Sequence, residues 1–159
     1  MKNNPAPRWD PTSAPTFWVN HVSRLLMRRF EQVLRPLQFG FAYLPVAVAL
    51  DENGKLLQRD LAEKAHVEQP TMAALLARME RDGLIVRQPH PVDKRASSIA
   101  LSRKGKTRLP KAKERLVVAV EEALEGFTAD EIATLMGLLR RMAKNLGEEV
   151  DKLEARHGT

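Results

Sequence analysis

The stretch VEQPTMAALLARMERDGL, Val67 to Leu84, carries two patterns at once. Met72, Leu75, Leu76 and Met79 recur at i, i+3, i+4 and i+7, the spacing of a helix resting on a core. The same register turns Ala73, Ala74 and Ala77 outward, with Arg78 and Arg81 beside them. Small side chains let a helix backbone approach another molecule closely. Alanine methyls can touch thymine methyls, and arginines can reach phosphates or the acceptor edge of guanine. Gln69, Pro70 and Thr71 open the helix, the end that points deepest when such a helix enters a major groove. The chemistry on offer is non-covalent recognition of double-stranded DNA. Alanines are common on any helix and arginines are often merely solvated, so the neighbouring elements must decide.

A second basic cluster follows. LIVRQ and SSIAL read as two short strands, and PHPVDKRA between them is too long and too charged for a tight hairpin turn. The expected form is a hairpin with a protruding loop carrying Asp93, Lys94 and Arg95 at its tip and His90 nearby. An arginine on a narrow loop can enter the minor groove, where A·T-rich sequence deepens the negative potential. Asp93 would repel phosphate, but it makes sense if it hydrogen-bonds an arginine and fixes its aim.

Other chemistries find little support. ALSRKGKT, Ala100 to Thr107, fits a loose Walker A pattern with Ala in place of the first Gly. A phosphate-binding loop of that kind needs the glycine turn and a parallel sheet, which the pattern does not offer. His21, His66, His90 and His157 fall in separate elements without metal-ligand spacing. There is no Gly-x-Ser-x-Gly motif. Cysteine is absent, which removes disulfides and thiol chemistry. The expectation is a non-enzyme with no metal and no cofactor.

The elements that position these residues follow from periodicity and punctuation. The 159 residues suffice for one ordinary domain. Lys and Arg number 26 against 20 Asp and Glu, a net charge of +6 that favours anionic partners. Residues 1–15 hold four of the ten prolines and read as a flexible arm. Ser13 can cap a first helix that has Pro15 in its first turn and runs to about Arg35. A second helix covers about 41–50, with Pro45 tolerable in a first turn or a kink, and DENG makes a turn. QRDLAEKAH forms a short third helix burying Leu61, Ala62 and Ala65, and Pro70 to Asp82 the fourth, ended by Gly83. Ser102 caps a fifth helix reaching about Glu125, kinked by Pro110 and stopped by Gly126. TADE, Thr128 to Glu131, is a capping box for the last helix. There Ile132, Leu135, Leu139, Met142, Leu146, Val150 and Leu153 recur at near-heptad spacing, which suggests a helical dimer seam. No apolar run approaches the roughly 18 residues of a membrane span, so a soluble, cytoplasmic protein is expected.

Short helix, turn, second helix and hairpin make a winged helix-turn-helix. The fold class is mainly α, with a small antiparallel β-hairpin wing and flanking N- and C-terminal dimerisation helices. Residues 16–159 form one domain, with the DNA-binding part at about 41–102 and dimerisation helices at about 16–36 and 103–157.

The run DLAEKAHVEQPTMAALLARMERDGLIVRQPHPVDKRASSIALSRKG resembles the MarR family of winged-helix regulators, near its SlyA-like branch. EQPTM, DGLI, DKR and ALSRKG carry the likeness, which extends over residues 16–150. It implies a homodimeric, sequence-specific transcriptional regulator binding a pseudo-palindromic operator, acting as a ligand-responsive repressor. It assigns DNA contacts to Gln69, Pro70, Thr71, Ala74, Arg78, Arg81, Asp93, Lys94 and Arg95, and dimer contacts to Ile132, Leu135, Leu139, Leu146 and Val150. It also implies a pocket for a small aromatic or phenolic effector, for which Trp18, His21, Arg24 and Tyr43 are the candidates; ordinary interface packing is the plainer use of those four. The alternative is a non-specific architectural DNA- or RNA-binding winged-helix protein without an effector. His66 stands where the family often has glycine, and histidine tolerates a left-handed backbone better than most residues.

Overall fold

The computed structural model describes residues 10–89 and 97–157, with side chains to residue 148. The chain falls into two compact units, Met1–Ala119 and Val120–Thr159.

In the first unit, α1 spans Pro15–Leu34, α2 Leu44–Asn53, β1 Lys55–Leu57, α3 Gln58–Lys64 and α4 Gln69–Arg81. β2, Ile85–Pro89, and β3, Ser97–Leu101, follow, and then α5, Arg103–Ala123, which runs into the second unit. The core is built from α-helical stripes closed by the sheet. Phe30 and Leu34 of α1, Val46 and Leu50 of α2, and Leu61 of α3 are buried. So are Met72, Leu76 and Met79 of α4, Ile85 and Ile99 of the strands, and Leu109 and Ala112 of α5. Each fully buried Leu, Ile or Met contributes roughly 1.5–3 kcal/mol over leaving it exposed.

Several expectations are corrected at the edges of elements. Ser13 does not cap α1. Its hydroxyl donates to the Asp10 carbonyl oxygen at 2.7 Å, inside a 3-10 turn, Pro11–Ser13, that the Asp10 carboxylate caps. The cap position of α1 is Ala14, with no side-chain bond. The flexible-arm expectation therefore fails at residues 10–15, while residues 1–9 lie outside those described. The α2 segment starts as a 3-10 turn, Phe41–Tyr43, so that Pro45 falls in the first turn of the helix proper. DENG is not a free turn either: α2 continues to Asn53 and ends at Gly54, whose φ of 77° suits glycine. Ala65, expected to be buried, is half-buried.

The sheet has three strands, not two. Its order is β1-β3-β2, all antiparallel, with Ile85 opposite Leu101, Pro89 opposite Ser97 and Lys55 opposite Ala100. β1 has only three residues and no alternation long enough to declare itself; it becomes a strand by pairing with β3. Pro110 lies inside α5 without ending it, although it removes one N–H from the helical ladder.

In the second unit α6 spans Ala129–His157. Its capping box forms as the sequence indicates. The Thr128 N–H donates to Glu131 Oε2 at 2.8 Å, and the Glu131 N–H donates back to Thr128 Oγ1 at 3.3 Å. Among the described residues no single helix is long and apolar enough to cross a membrane.

Candidate nucleic-acid interface

The two helices of the motif are joined by Ala65–Glu68, and the joint depends on one backbone conformation. His66 takes φ = 51°, left-handed, as its position at the end of α3 demands. The Val67 N–H returns to the Ala62 carbonyl at 3.0 Å, closing the turn. Asp60 holds the other end of α3 by accepting the Leu57 N–H at 3.3 Å.

The apolar packing of α4 comes from its inner face. Met72, Leu75, Leu76 and Met79 are all buried. Gln69, Pro70, Thr71, Ala74, Ala77, Arg78 and Arg81 are all exposed, and Ala73 is half-exposed. The exposed row is narrow where the alanines stand and cationic toward its C-terminal end. Arg78 and Arg81 also sit in the last turn, where positive charge complements the helix dipole whatever lies outside.

Gln58 is a contact that the sequence pattern does not reveal. Its side-chain nitrogen donates to Gln69 Oε1 at 3.3 Å, across from the start of α3 to the start of α4. A lone glutamine eleven residues away gives no sequence signal; only the angle between the two helices brings it there. The bond occupies Gln69 Oε1 and leaves the amide nitrogen of this exposed residue as a donor.

The C-terminal end of α4 is held by polar contacts from four residues, Tyr43, Lys104, Ser102 and Arg87. The Tyr43 hydroxyl donates to Asp82 Oδ2 at 2.7 Å. Burial first, and then this bond to a carboxylate, push the Tyr43 phenol above its ordinary range. Lys104 Nζ donates to the Asp82 carbonyl at 2.6 Å, and Ser102 Oγ donates to the Gly83 carbonyl at 2.6 Å. Ser102 also accepts the Gly105 N–H at 3.0 Å, capping α5 as expected. Arg87 of β2 pairs with Glu80 of α4 at 3.0 Å.

The wing strands form, but His90, Asp93, Lys94 and Arg95 lie outside the described residues. The four effector candidates are not brought together. Trp18 and His21 form a ring cluster with Phe17, whose ring stacks on His21 with centroids 6.0 Å apart. Trp18 is 54% exposed and its Nε1 donates to the Thr12 carbonyl at 2.9 Å. Arg24 is exposed on the same helix. Tyr43 is buried, packed edge-on against Phe39, and its hydroxyl is engaged by Asp82.

Helix, left-handed turn, helix and antiparallel wing strands define a winged helix-turn-helix protein. The MarR family model matches residues 37–96. Over 99 residues the chain is 32% identical to the HTH-type transcriptional regulator YybA of Bacillus subtilis (strain 168), an alignment covering 62% of this chain. It spans 66% of that relative, a little under two thirds of its length. The transcriptional repressor CouR, solved bound to a 23-mer DNA duplex, superposes with a TM-score of 0.72 at 24% identity, over 83% of this chain and 94% of that one. The transcriptional regulator SlyA superposes with a TM-score of 0.68 at 27% identity, over 82% and 92%. Over residues 37–96 the chain matches the MarR family model, its fold is that of the winged helix-turn-helix proteins, and its likeness to SlyA agrees with the branch its sequence resembles.

Proposed function

We propose that the protein is a homodimeric transcriptional repressor that reads double-stranded DNA with α4 and the wing. One observation carries this reading. The helix whose inner face is wholly buried leaves its outer row to alanines, Gln69 and Thr71, with Arg78 and Arg81 exposed beside them. That is the surface a major groove accepts. CouR, of the same fold, is bound to a DNA duplex. The test is a binding titration on DNA from upstream of the gene against random DNA at fixed salt. Preference for the upstream site supports a sequence-reading regulator; a specificity ratio near one supports an architectural protein instead.

Dimerisation belongs to the same proposal. Leu135, Leu138, Leu139 and Leu146 of α6 are exposed, as are Trp18, Val22 and Leu25 of α1. Apolar surface on this scale marks an interface, and a two-fold dimer would place two copies of α4 on two half-sites one helical turn apart.

The effector reading rests on Trp18, His21 and Arg24. A cation and an imidazole beside exposed rings suit a small aromatic carboxylate. Such a ligand would lower DNA affinity only through unequal affinity for two dimer conformations. Calorimetry of salicylate with and without DNA tests it. Equal binding to free and DNA-bound protein would rule the ligand out as an effector.

A further inference from the structure

A second cationic feature adjoins the C-terminal end of α4 and shares Arg81 with its exposed row. Gln38, in the turn between α1 and α2, Arg81 and Asp82 at the end of α4, and Lys104 in the first turn of α5 line a cleft of about 430 Å³. Arg108, one turn further along α5, reaches the same corner: its Nη2 donates to Gln38 Oε1 at 3.0 Å. Because the Gln38 oxygen takes that bond, its amide nitrogen remains a donor. Gln38 is also held with φ = 48°, a left-handed conformation unusual for a residue with a side chain.

The charges in this corner do not balance. Asp82 is the carboxylate of the lining, and one of its oxygens accepts the Tyr43 hydroxyl. Lys104 bonds the Asp82 backbone carbonyl, leaving two of its protons unspent. Arg81 forms no hydrogen bond or ion pair among the described residues. Arg108 Nη1 is buried with no hydrogen-bond partner. A buried charged donor without an acceptor is costly and rare in native proteins, and a bound anion supplies the acceptor that the chain does not. Three cations against one carboxylate suit a compact dianion better than a single carboxylate.

We propose that this cleft binds a phosphate group. Lys104 Nζ, the Arg81 guanidinium and the Gln38 amide are the direct donors. Arg108 stands behind Gln38 and holds its Oε1, so that the Gln38 amide nitrogen remains the donor. The phosphate belongs either to a free phosphorylated molecule or to a DNA backbone; only the second source rests on the DNA-binding reading above. A phosphate here would bridge the end of α4 to α5 and so bear on how firmly the reading helix is held.

The experiment has two arms, both on the full chain. In the first, inorganic phosphate is titrated at constant ionic strength and backbone amides are followed by NMR. Saturable shifts are expected at Gln38, Asp82 and Lys104. Lys104→Gln and Arg81→Gln should each weaken this binding at least fivefold, whereas Arg59→Gln, an exposed cation paired with Asp60, should not. In the second, the affinity of Lys104→Gln for a random-sequence duplex is measured against salt. If the backbone is the source, the log–log slope falls by about one relative to the parent. An unchanged slope with a saturable phosphate site assigns a free molecule. No saturable shift together with an unchanged slope overturns the proposal. A parent protein that binds phosphate in the cleft but no DNA would overturn the regulator reading and leave the cleft standing.

Discussion

The hydroxyl of Tyr43 donates to Asp82 Oδ2 at 2.7 Å, so the turn that opens α2 is tied to the residue that closes α4. The bond spans 39 residues of sequence and fixes the end of α4 against the domain core. Tyr43→Phe keeps the packing on Phe39 and deletes the bond. The expected cost is about 1–3 kcal/mol, since the acceptor is charged, read from urea unfolding. The sign of the pH effect follows from the raised phenol. The folded state keeps its proton to higher pH than the unfolded state, so this contribution is complete below the ordinary tyrosine range. It is lost as pH rises through the folded value. Tyr43→Phe should remove that alkaline decline; an unaltered decline would show that other groups cause it.

Gly105 lies in the first turn of α5 against the chain leaving α4. A Cβ there would fall inside contact distance of the Leu84 carbonyl oxygen, which is backbone and cannot turn aside. Gly105→Ala gains about 1 kcal/mol of helix propensity, yet the clash should outweigh it and destabilise the protein by ~2 kcal/mol or more. Thermal unfolding measures this. A stabilised variant would mean that α5 can slide away from Leu84 freely.

The capping box at the start of α6 gives an acid-side prediction. The Thr128 backbone N–H, and then its hydroxyl, hold the Glu131 carboxyl below its ordinary range. The stabilisation is therefore present above the unfolded-state value and is lost as pH falls through the folded one. Thr128→Ala should cost ~1 kcal/mol near neutrality. Glu131→Gln should make helix content less sensitive to acid, as followed by circular dichroism.

Residues on α4 and in the wing should separate by kind. Gln69→Ala or Thr71→Ala should relax preference at particular base pairs, each costing roughly 1–3 kcal/mol. Arg95→Ala should weaken binding to many A·T-flanked sites and flatten the salt slope by about one. Gln58→Ala should lower specificity at the base pair read by Gln69, because it frees the side chain that Gln58 orients. Equal effects of all four substitutions on operator and random DNA would refute the assignment.

The exposed stripe of α6 predicts the oligomer. Leu139→Asp with Leu146→Asp would place unpaired charge in an apolar seam and should abolish dimers in sedimentation velocity. A folded monomer in the unsubstituted protein would refute the seam.

Local rules made much of this fold legible. The Met72–Met79 stripe, Gly83 and Gly126 at positive φ, the Thr128–Glu131 box and the Ser102 cap each depend on residues within a turn or two of one another. The same holds for His66, whose left-handed backbone is set by its place at a helix end. Ser13 misled because Asp10 was an equally local competitor for the same backbone groups.

What the sequence by itself determined was the succession of helices and wing strands and the face that α4 buries, because period, caps and turns act over a few residues. Only the tertiary structure decided the pairings: β1 with β3, Gln58 with Gln69, Tyr43 with Asp82, Arg108 with Gln38. Those partners lie between 11 and 70 residues apart in the side-chain cases. No periodicity encodes such distances. They are set when burial of the apolar stripes fixes the angles at which the helices cross, and polar side chains then bond whatever those angles bring within reach.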